Sequence, residues 1–471
     1  MIRKTKIVAT IGPSTSSKEM LTKIIQRGVN VCRLNFSHFS HEKAKEIITL
    51  IKEVNQELHV HTAILADLQG PKIRVGEFPK PINLRKGTEI TFCTRKRKNT
   101  IFINYTSFAK DVNVNDRVLV DDGKISLSVM ATNKKDTVKL KVVFGGKLLS
   151  NKGVNLPNTK ISLPCLTKKD KEDLAFILNQ KIEWIGLSFV RSAGDVRTLK
   201  KIIKKQKSHH KVIAKIEKPE AIKEIGAIIK ETDAVMVARG DLGVEVPPQK
   251  VPIYQKMIVE KCINSSRPVI IATQMLESMT ISPTATRAEV NDVANSVIDG
   301  ADAVMLSGET SLGKYPHKAV ETMRKIIKDV ERSEHSISKN RPEAIVKNNS
   351  RRLTNAICSN ACIISEETKA KAIITVTYSG YNTIKTSSFR PAAFIYAFTN
   401  NHTILNTLSL VWGVQGFYYD RGATTDQTIN ETKEILKKGK FLKKGDTVVN
   451  LASMPAQEKG MTNMMKLSKV K

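Results

Sequence analysis

The chain switches repeatedly between two periodicities, and this alternation limits its fold more than any other feature. Short apolar runs with the character of buried parallel strands are each followed by a stretch with apolar residues at helical spacing. Strand-like runs fall at Lys6–Ile11, Val29–Phe36 and Thr62–Leu68, with helices predicted over Lys18–Arg27 and about His41–Val54. The pattern stops at 72–160 and then resumes. Strands are expected at Trp184–Val190, Lys211–Glu217, Ala234–Arg239, Pro268–Gln274 and Ala303–Ser307. Helices are expected at about Ala193–Lys205, Pro219–Lys230, Gln249–Ser265, Arg287–Asp299 and Pro316–Val330. Three strands before the interruption and five after it give eight strand–helix units, the count of a (β/α)8 TIM barrel.

Segments inside the interruption, such as ITFCTR, VNDRVLVDDG and TVKLKVVFGG, alternate at period two between Gly, Asn and Asp turns. They predict a small inserted β-barrel domain. A polar stretch at about Ser333–Ser350 reads as a linker. Beyond it a helix at Asn355–Ser365 and strands at Ala372–Thr377, Ala393–Phe398, Gly413–Tyr418 and Thr447–Asn450 predict an α/β open-sheet domain. The expected organisation is a barrel domain at 1–71 and 161–335, an inserted all-β domain at 72–160 and a C-terminal α/β domain at 345–471. A chain of 471 residues suits about three domains.

Composition excludes several classes. The longest apolar runs fall short of the ~18 residues of a membrane span. The opening MIRKTKIVATIGPS reads as a strand stopped by a Gly-Pro turn rather than a secretory leader. The six cysteines (Cys32, Cys93, Cys165, Cys262, Cys358 and Cys362) form no C-x-x-C pair and are expected to be reduced, buried thiols of a cytoplasmic protein. The formal net charge of +32 raises a polyanion partner. Yet lysine outnumbers arginine nearly three to one and the excess runs along the whole chain. Nucleic-acid readers concentrate their charge on one face, so no specific nucleic-acid partner is expected.

In a (β/α)8 barrel, the C-terminal strand ends carry the active site. Here they carry Arg33, Asn35 and Ser37, Asp67, Lys215 and Glu217, Arg239 and Asp241, Thr273 and Gln274, and Ser307 and Glu309. Arg33 and Asn35 lie two apart on a strand, as do Lys215 and Glu217, so each pair projects to one side. Glu217 and Asp241 offer hard oxygens to Mg²⁺, and Lys215 stands beside them as a point charge for a developing enolate or phosphoryl group. Arg33 suits phosphate oxygens. The run Arg239–Gly243 is expected to open a short helix whose free N–H groups take a carboxylate. The set suggests a Mg²⁺-assisted site for a small, multiply anionic substrate.

The same residues carry a family resemblance. KIVATIGPS (6–14), NVCRLNFSH (30–38), ADLQGPKIR (66–74), NKGVNLP (151–157), AKIEKPEA (214–221), VARGDLGVEVP (237–247), IIATQMLESM (270–279), the run PTATRAEVNDVANSVIDGADAVMLSGETSLGKYP (283–316) and LVWGVQG (410–416) resemble pyruvate kinase. The resemblance implies transfer of a phosphoryl group from phosphoenolpyruvate to ADP, giving pyruvate and ATP, the last step of glycolysis. It also implies a cytoplasmic homotetramer that uses Mg²⁺ or Mn²⁺. By position it implies that Arg33 contacts the transferring phosphoryl group and Lys215 stabilises the transition state. Glu217 and Asp241 would hold the metal. Gly240, Asp241 and Thr273 would bind the substrate carboxylate. Arg74 and Lys152 would reach the nucleotide as the inserted domain closes as a lid, and Thr273 and Ser307 would help protonate the enolate.

Two departures matter. K⁺-dependent members carry Glu where this chain has Lys72. Asn35, Ser37, Asp67 and Leu68 still resemble a K⁺ site, but the Lys72 ammonium is expected to replace the ion, so K⁺ is not required. The loop Thr377–Thr383 stands where relatives hold an effector phosphate, and Ser379, Gly380 and Thr383 leave an anion nest open. Tyr381 and Asn382 depart from the small hydroxyl residues there, and no effector is assigned. Two other readings remain open at this stage: a Mg²⁺-dependent oxo-acid lyase or aldolase on the same barrel, and a polyanion binder without catalysis.

Overall fold

The structure, a computed structural model, describes residues 3–157, 159–333, 351–421, 424–454 and 461–471. Eight parallel strands close into a barrel: β1 (Lys6–Thr10), β2 (Val31–Asn35), β3 (Ala63–Asp67), β4 (Trp184–Leu187), β5 (Lys211–Ile216), β6 (Ala234–Ala238), β7 (Val269–Ala272) and β8 (Ala303–Leu306). Each pairs with its sequence neighbours, and β8 pairs with β1. The strands are apolar throughout because both faces are covered. Inside, Val8, Leu65, Ile213, Ile270 and the small residues Ala63, Ala234, Ala272 and Ala303 pack round Trp184, Met236 and Met305. Leu410, from the C-terminal part of the chain, joins this cluster. Outside, helices lay their apolar stripes on the strands, with Leu21, Ile47, Leu199, Ile258 and Met323 in one continuous core.

The helices start where their capping residues stand. Ser17, Ser40 and Thr286 accept N–H groups of the first turns of helices Lys18–Gln26, His41–Leu58 and Arg287–Ile298. The strand at 29–36 and the helix at 316–330 were read to within two residues. Helix Lys168–Ile177, which follows β3 in the barrel's order, was not anticipated because the insertion separates it from its strand. Thr167 and Asp170 form its capping box, and Asp170 Oδ1 also accepts Gly70 N at 3.0 Å, just past β3. The single helix expected over Pro219–Lys230 divides into Pro219–Lys223 and Ile225–Glu231. Gly226 lies just after the break, where glycine weakens a helix.

The insertion is the expected small β-barrel, built on a six-stranded sheet with a two-stranded ribbon beside it. Six strands run in the order 154–155, 117–120, 125–132, 137–144, 89–93 and 101–102, and a ribbon pairs 82–84 with 146–148. Register shifts at Ser126/Leu127 and Val129/Ala131 curl the sheet. Residues 74 and 75 close it: Arg74 bridges Gly153 beside one end strand, and Val75 bridges Ile103 beside the other.

The C-terminal sheet holds β9 (Ala372–Val376), β10 (Phe394–Thr399), β11 (Val414–Tyr418), β12 (Thr447–Ala452) and β13 (Met464–Lys469), in the order β11-β10-β9-β12-β13. β13 is antiparallel; its alternation is weak, and the sequence reading missed it. The expected linker falls almost wholly on 334–350, outside the described residues. All six cysteines are free and buried.

Asp302, just ahead of β8, joins barrel to C-terminal sheet. Its carboxylate accepts Val269 N and Trp412 N, each at 3.1 Å, and pairs with Arg390 at 2.8 Å. Both ionic side chains are almost fully buried, 6% and 4% exposed. Removing one partner of such a pair strands the other charge, at about 3–5 kcal/mol. Asp302→Ala should therefore lower stability by roughly that amount in urea titrations, with Asp302→Asn, which keeps an acceptor for Trp412, in between.

Candidate active site

Five strand ends meet in one hydrogen-bonded chain at the C-terminal mouth of the barrel. Arg33 on β2 donates from Nη1 to Thr10 Oγ1 of β1 at 3.0 Å and from Nε to Asp67 Oδ2 of β3 at 2.7 Å. Asp67 lies 3.2 Å from Lys215 Nζ of β5. Lys215 in turn donates to Ser188 Oγ, past β4, at 2.7 Å and stands 3.0 Å from Glu217 Oε1. Glu217 Oε2 accepts Phe189 N at 2.7 Å. Phe189 holds φ +54°, which aims that N–H inward. Gly70 lets this turn approach, since a Cβ there would stand 2.8 Å from the Phe189 ring.

Burial decides the electrostatics. It drives Asp67 toward the neutral form, but Lys215 and then Arg33 outweigh it and hold the carboxyl below its ordinary range. Burial likewise pulls on Lys215, and Asp67 and Glu217 overcome it, so the ammonium is held above its usual value. Glu217 goes the other way: burial pushes its carboxyl up, Asp241 adds to the push, and Lys215 opposes it. Lys215 and Glu217 thus describe one contact differently. We read Lys215 as charged and Glu217 as a carboxylate whose Oε1 meets that ammonium at 3.0 Å.

The pairing of Glu217 with a neighbouring carboxylate bears on whether the residues suit Mg²⁺. Among the described residues no cluster of three or more His, Cys, Asp or Glu side chains forms a self-sufficient metal site. Glu217, with Asp241 close enough to raise it, fits an ion that takes few protein ligands and keeps its other positions for water and substrate oxygens.

Asp241 lies in the first turn of the expected short helix, Arg239–Glu245. Two of the residues expected at the carboxylate site touch: Gly240 N donates to Thr273 Oγ1 at 2.8 Å. Thr273 and Gln274 hold φ +70° and +54°, outliers that mark strain in a functional turn. Arg239 braces this turn with Thr273 O at 2.7 Å and through both nitrogens to Asp292. Ser307 Oγ is buried without a hydrogen bond, while its backbone N–H donates to Glu309 Oε2 at 2.6 Å.

The insertion overhangs this mouth. Lys72, Asp122, Gly153 and Asn155 from its side line a cleft with Phe189, Lys218 and Asp241 from the barrel, continuous with a larger one of 980 Å³. Asn155 Nδ2 donates to Glu245 Oε1 at 2.8 Å, and Lys218 Nζ reaches the same oxygen at 2.6 Å. Arg74 donates to Asn151 O at 2.9 Å, and Lys152 pairs with Asp121 at 2.8 Å, both within the insertion. His38 is lowered by burial and then by Arg74, Arg33 and Lys72, which puts three cations round one imidazole.

Oxygens of three of the K⁺-like residues, Asn35, Asp67 and Leu68, are engaged. Asp67 serves Arg33 and Lys215, Leu68 O accepts Ser188 Oγ at 2.7 Å, and Asn35 Oδ1 accepts Ser37 N at 3.1 Å. In the C-terminal loop, Thr383 Oγ1 is buried against Thr375 Oγ1 at 2.8 Å, which takes it out of the expected anion nest. Gly380 N donates to Thr377 Oγ1 at 2.9 Å. Thr10, Ser188, Lys218 and Glu245 were missed in the sequence. For the first two a signal existed, since they end β1 and β4.

A barrel with an overhanging insertion, a buried lysine between carboxylates and cations converging on the cleft defines an enzyme for a small anionic substrate. Residues 2–320 match the family model "Pyruvate kinase, barrel domain", and 355–468 match "Pyruvate kinase, alpha/beta domain". The chain is 43% identical over 479 residues to "Pyruvate kinase 2" of Synechocystis, covering 100% of this chain and 80% of that one. It is 40% identical to the pyruvate kinase of Staphylococcus aureus strain USA300, covering 99% and 80%. A crystal structure of a pyruvate kinase from Cryptosporidium parvum superposes with a TM-score of 0.91 at 33% identity, covering 100% and 96% of the two chains. The chain belongs to the pyruvate kinase family.

Asp67 gives the network a pH signature. Its folded value is depressed, so its contribution is present above the unfolded carboxylate value, ~3.9, and lost as pH falls through the folded one. The stability gap between the wild type and Asp67→Asn should stay level from about pH 8 to about 5 and close below about pH 4 in urea titrations.

Proposed function

We propose that this chain transfers the phosphoryl group of phosphoenolpyruvate to ADP, with Arg33, Lys215, Glu217, Asp241 and Thr273 at the reacting end and Arg74 and Lys152 at the nucleotide. The observation that carries the assignment is the chain Arg33–Asp67–Lys215–Glu217 at the barrel mouth, beneath the insertion. Family membership favours this over an oxo-acid lyase or a polyanion binder.

Glu217 and Asp241 would hold Mg²⁺ or Mn²⁺, which supplies charge neutralisation at the phosphoryl oxygens. Arg33, fixed by Thr10 and Asp67, presents its guanidinium to the transferring group. Lys215 is pre-positioned by three acceptors, so its ammonium needs no reorganisation as negative charge grows on the enolate. The P–O bond to the enol oxygen breaks as a bond to the terminal ADP oxygen forms. The enolate then takes a proton at its methylene carbon to give pyruvate. The free Ser307 hydroxyl and Thr273 would orient the water that delivers this proton. Closing the insertion on the barrel through Asn155 and Glu245 would keep bulk water from the phosphoryl group.

K⁺ independence is part of the proposal. Arg33 and Lys215 already neutralise Asp67, and Lys72 adds a charge beside His38. A homotetramer in the cytoplasm is the assembly we infer, supported by the family alone. Among the described residues no helix is long and apolar enough to cross a membrane.

Pyruvate formation from phosphoenolpyruvate and ADP should be robust in the wild type. In Lys215→Met kcat should fall by ~10³-fold or more. Replacing K⁺ with tetramethylammonium should leave the rate within about tenfold, or ~1.4 kcal/mol of barrier; a larger loss would overturn the Lys72 argument. No turnover by a folded wild type would overturn the reaction itself.

A further inference from the structure

At the opposite end of the barrel from the catalytic mouth, a separate cleft of 590 Å³ opens between the entries to β3 and β4 and helix His402–Leu408 of the C-terminal sheet. Its floor is Glu183, 5% exposed. Glu183 Oε2 accepts Ile64 N at 2.8 Å and Oε1 accepts Asn406 Nδ2 at 2.9 Å, so one carboxylate ties a barrel strand to the C-terminal sheet.

The walls are basic and mutually repelling. Lys52, at the far end of helix His41–Leu58, feels Lys181 across the cleft. His61, ahead of β3, feels His402 on the other side. Among the described residues neither lysine has a carboxylate within ion-pair distance; Glu183 acts on Lys52 only from farther away. The one carboxylate in the cleft, Glu183, is pushed up to about 7 by burial, and its oxygens already accept Ile64 N and Asn406 Nδ2, so it offers the basic walls little counter-charge that an anion would not better supply. The volume lies within the ~300–1,000 Å³ of small-molecule sites, and a domain junction is a preferred place for one.

We infer that this cleft is a second binding site, for a phosphate-bearing anion held by Lys52, Lys181, His61 and His402. A phosphate offers three acceptor oxygens and nearly two charges to these converging donors. The cleft holds more than a bare phosphate, which leaves room for a small organic ester beside Asn406. Because its walls come from both sides of the junction, occupancy would bias how the C-terminal sheet sits on the barrel. The site shares no residue with the loop at 377–383 or with the catalytic cleft.

The groups facing the anion set the pH response. Lys52, His59 and His61 face it from one side, Lys181 and Glu183 from the second, and His402, stacked on Tyr418, from the third. Burial and then His402 disfavour the charged form of His61, and an anion would restore it. Burial pushes Glu183 up to about 7, so acidification also removes the opposing negative charge. Both effects make binding tighter at lower pH.

The test is calorimetric titration of the wild type and of the double variant Lys52→Gln, Lys181→Gln with ribose 5-phosphate and, separately, inorganic phosphate. Neither lysine belongs to the catalytic machinery, and unchanged kcat without added ligand would show that the variant is folded. The wild type should take up one more equivalent per chain than the variant, or bind at least about tenfold more tightly. That difference should grow between about pH 8 and about pH 6. Tighter binding of ribose 5-phosphate identifies an ester as the occupant, and equal binding identifies free phosphate. Superimposable isotherms for the wild type and the variant with both ligands would overturn the site. Because the readout is a difference between two active proteins, it is independent of the catalytic assignment.

Discussion

The catalytic mouth depends on one buried carboxylate. Asp67 is 1% exposed and stands between the guanidinium of Arg33 and the ammonium of Lys215. Two cations that close would repel each other strongly in a low-dielectric site. Asp67 removes that repulsion and fixes both side chains, leaving each free to meet substrate charge on its other side. The barrel supplies the rigidity. Arg33, Asp67 and Lys215 all sit on strands whose neighbours are paired on both sides, so their backbone positions are set by packing rather than by the substrate.

The charge pattern across the mouth is directional. One side, at Arg33 and Lys215, is positive and held there by Asp67. The other, at Glu217 and Asp241, carries negative charge that burial makes costly. A substrate with a phosphoryl group, an enol oxygen and a carboxylate needs cations over most of its length and, where the metal sits, carboxylates. The strained turn at Thr273 and Gln274 adjoins Gly240 and is braced by Arg239, itself paired with Asp292.

The barrel was legible because each of its strands is buried on both faces and each of its helices on one, so periodicity reports burial directly. Rim chemistry was legible because charged residues at the ends of otherwise apolar strands have no packing role. What stayed hidden depends on contacts distant in sequence. Lys218 looked like any surface lysine until Glu245 and Asn155 were brought against it. Thr383 stood in a loop left open as an anion nest, and its hydroxyl is paired with Thr375. The insertion's sheet is closed by residues 74–75, which bridge its two end strands, and so short a segment carries no period of its own. The helix at 168–177 was lost because its partner strand lies a whole domain earlier.

That displaced helix has a consequence of its own. Asp170 caps its own helix and, with the same carboxylate, holds the amide of Gly70 on the far side of the insertion. The two cut ends of the barrel are thereby sutured, and everything from 71 to 166 hangs as a side loop whose closure cost grows only with the logarithm of its length. The barrel's third unit can form without waiting for the insertion to fold. Conversely, the insertion can swing, lengthen or be exchanged while the suture keeps the register of β3 and β4 unchanged. Both residues belong to the barrel, so the part that must stay still carries its own fastening and does not borrow it from the part that hangs from it.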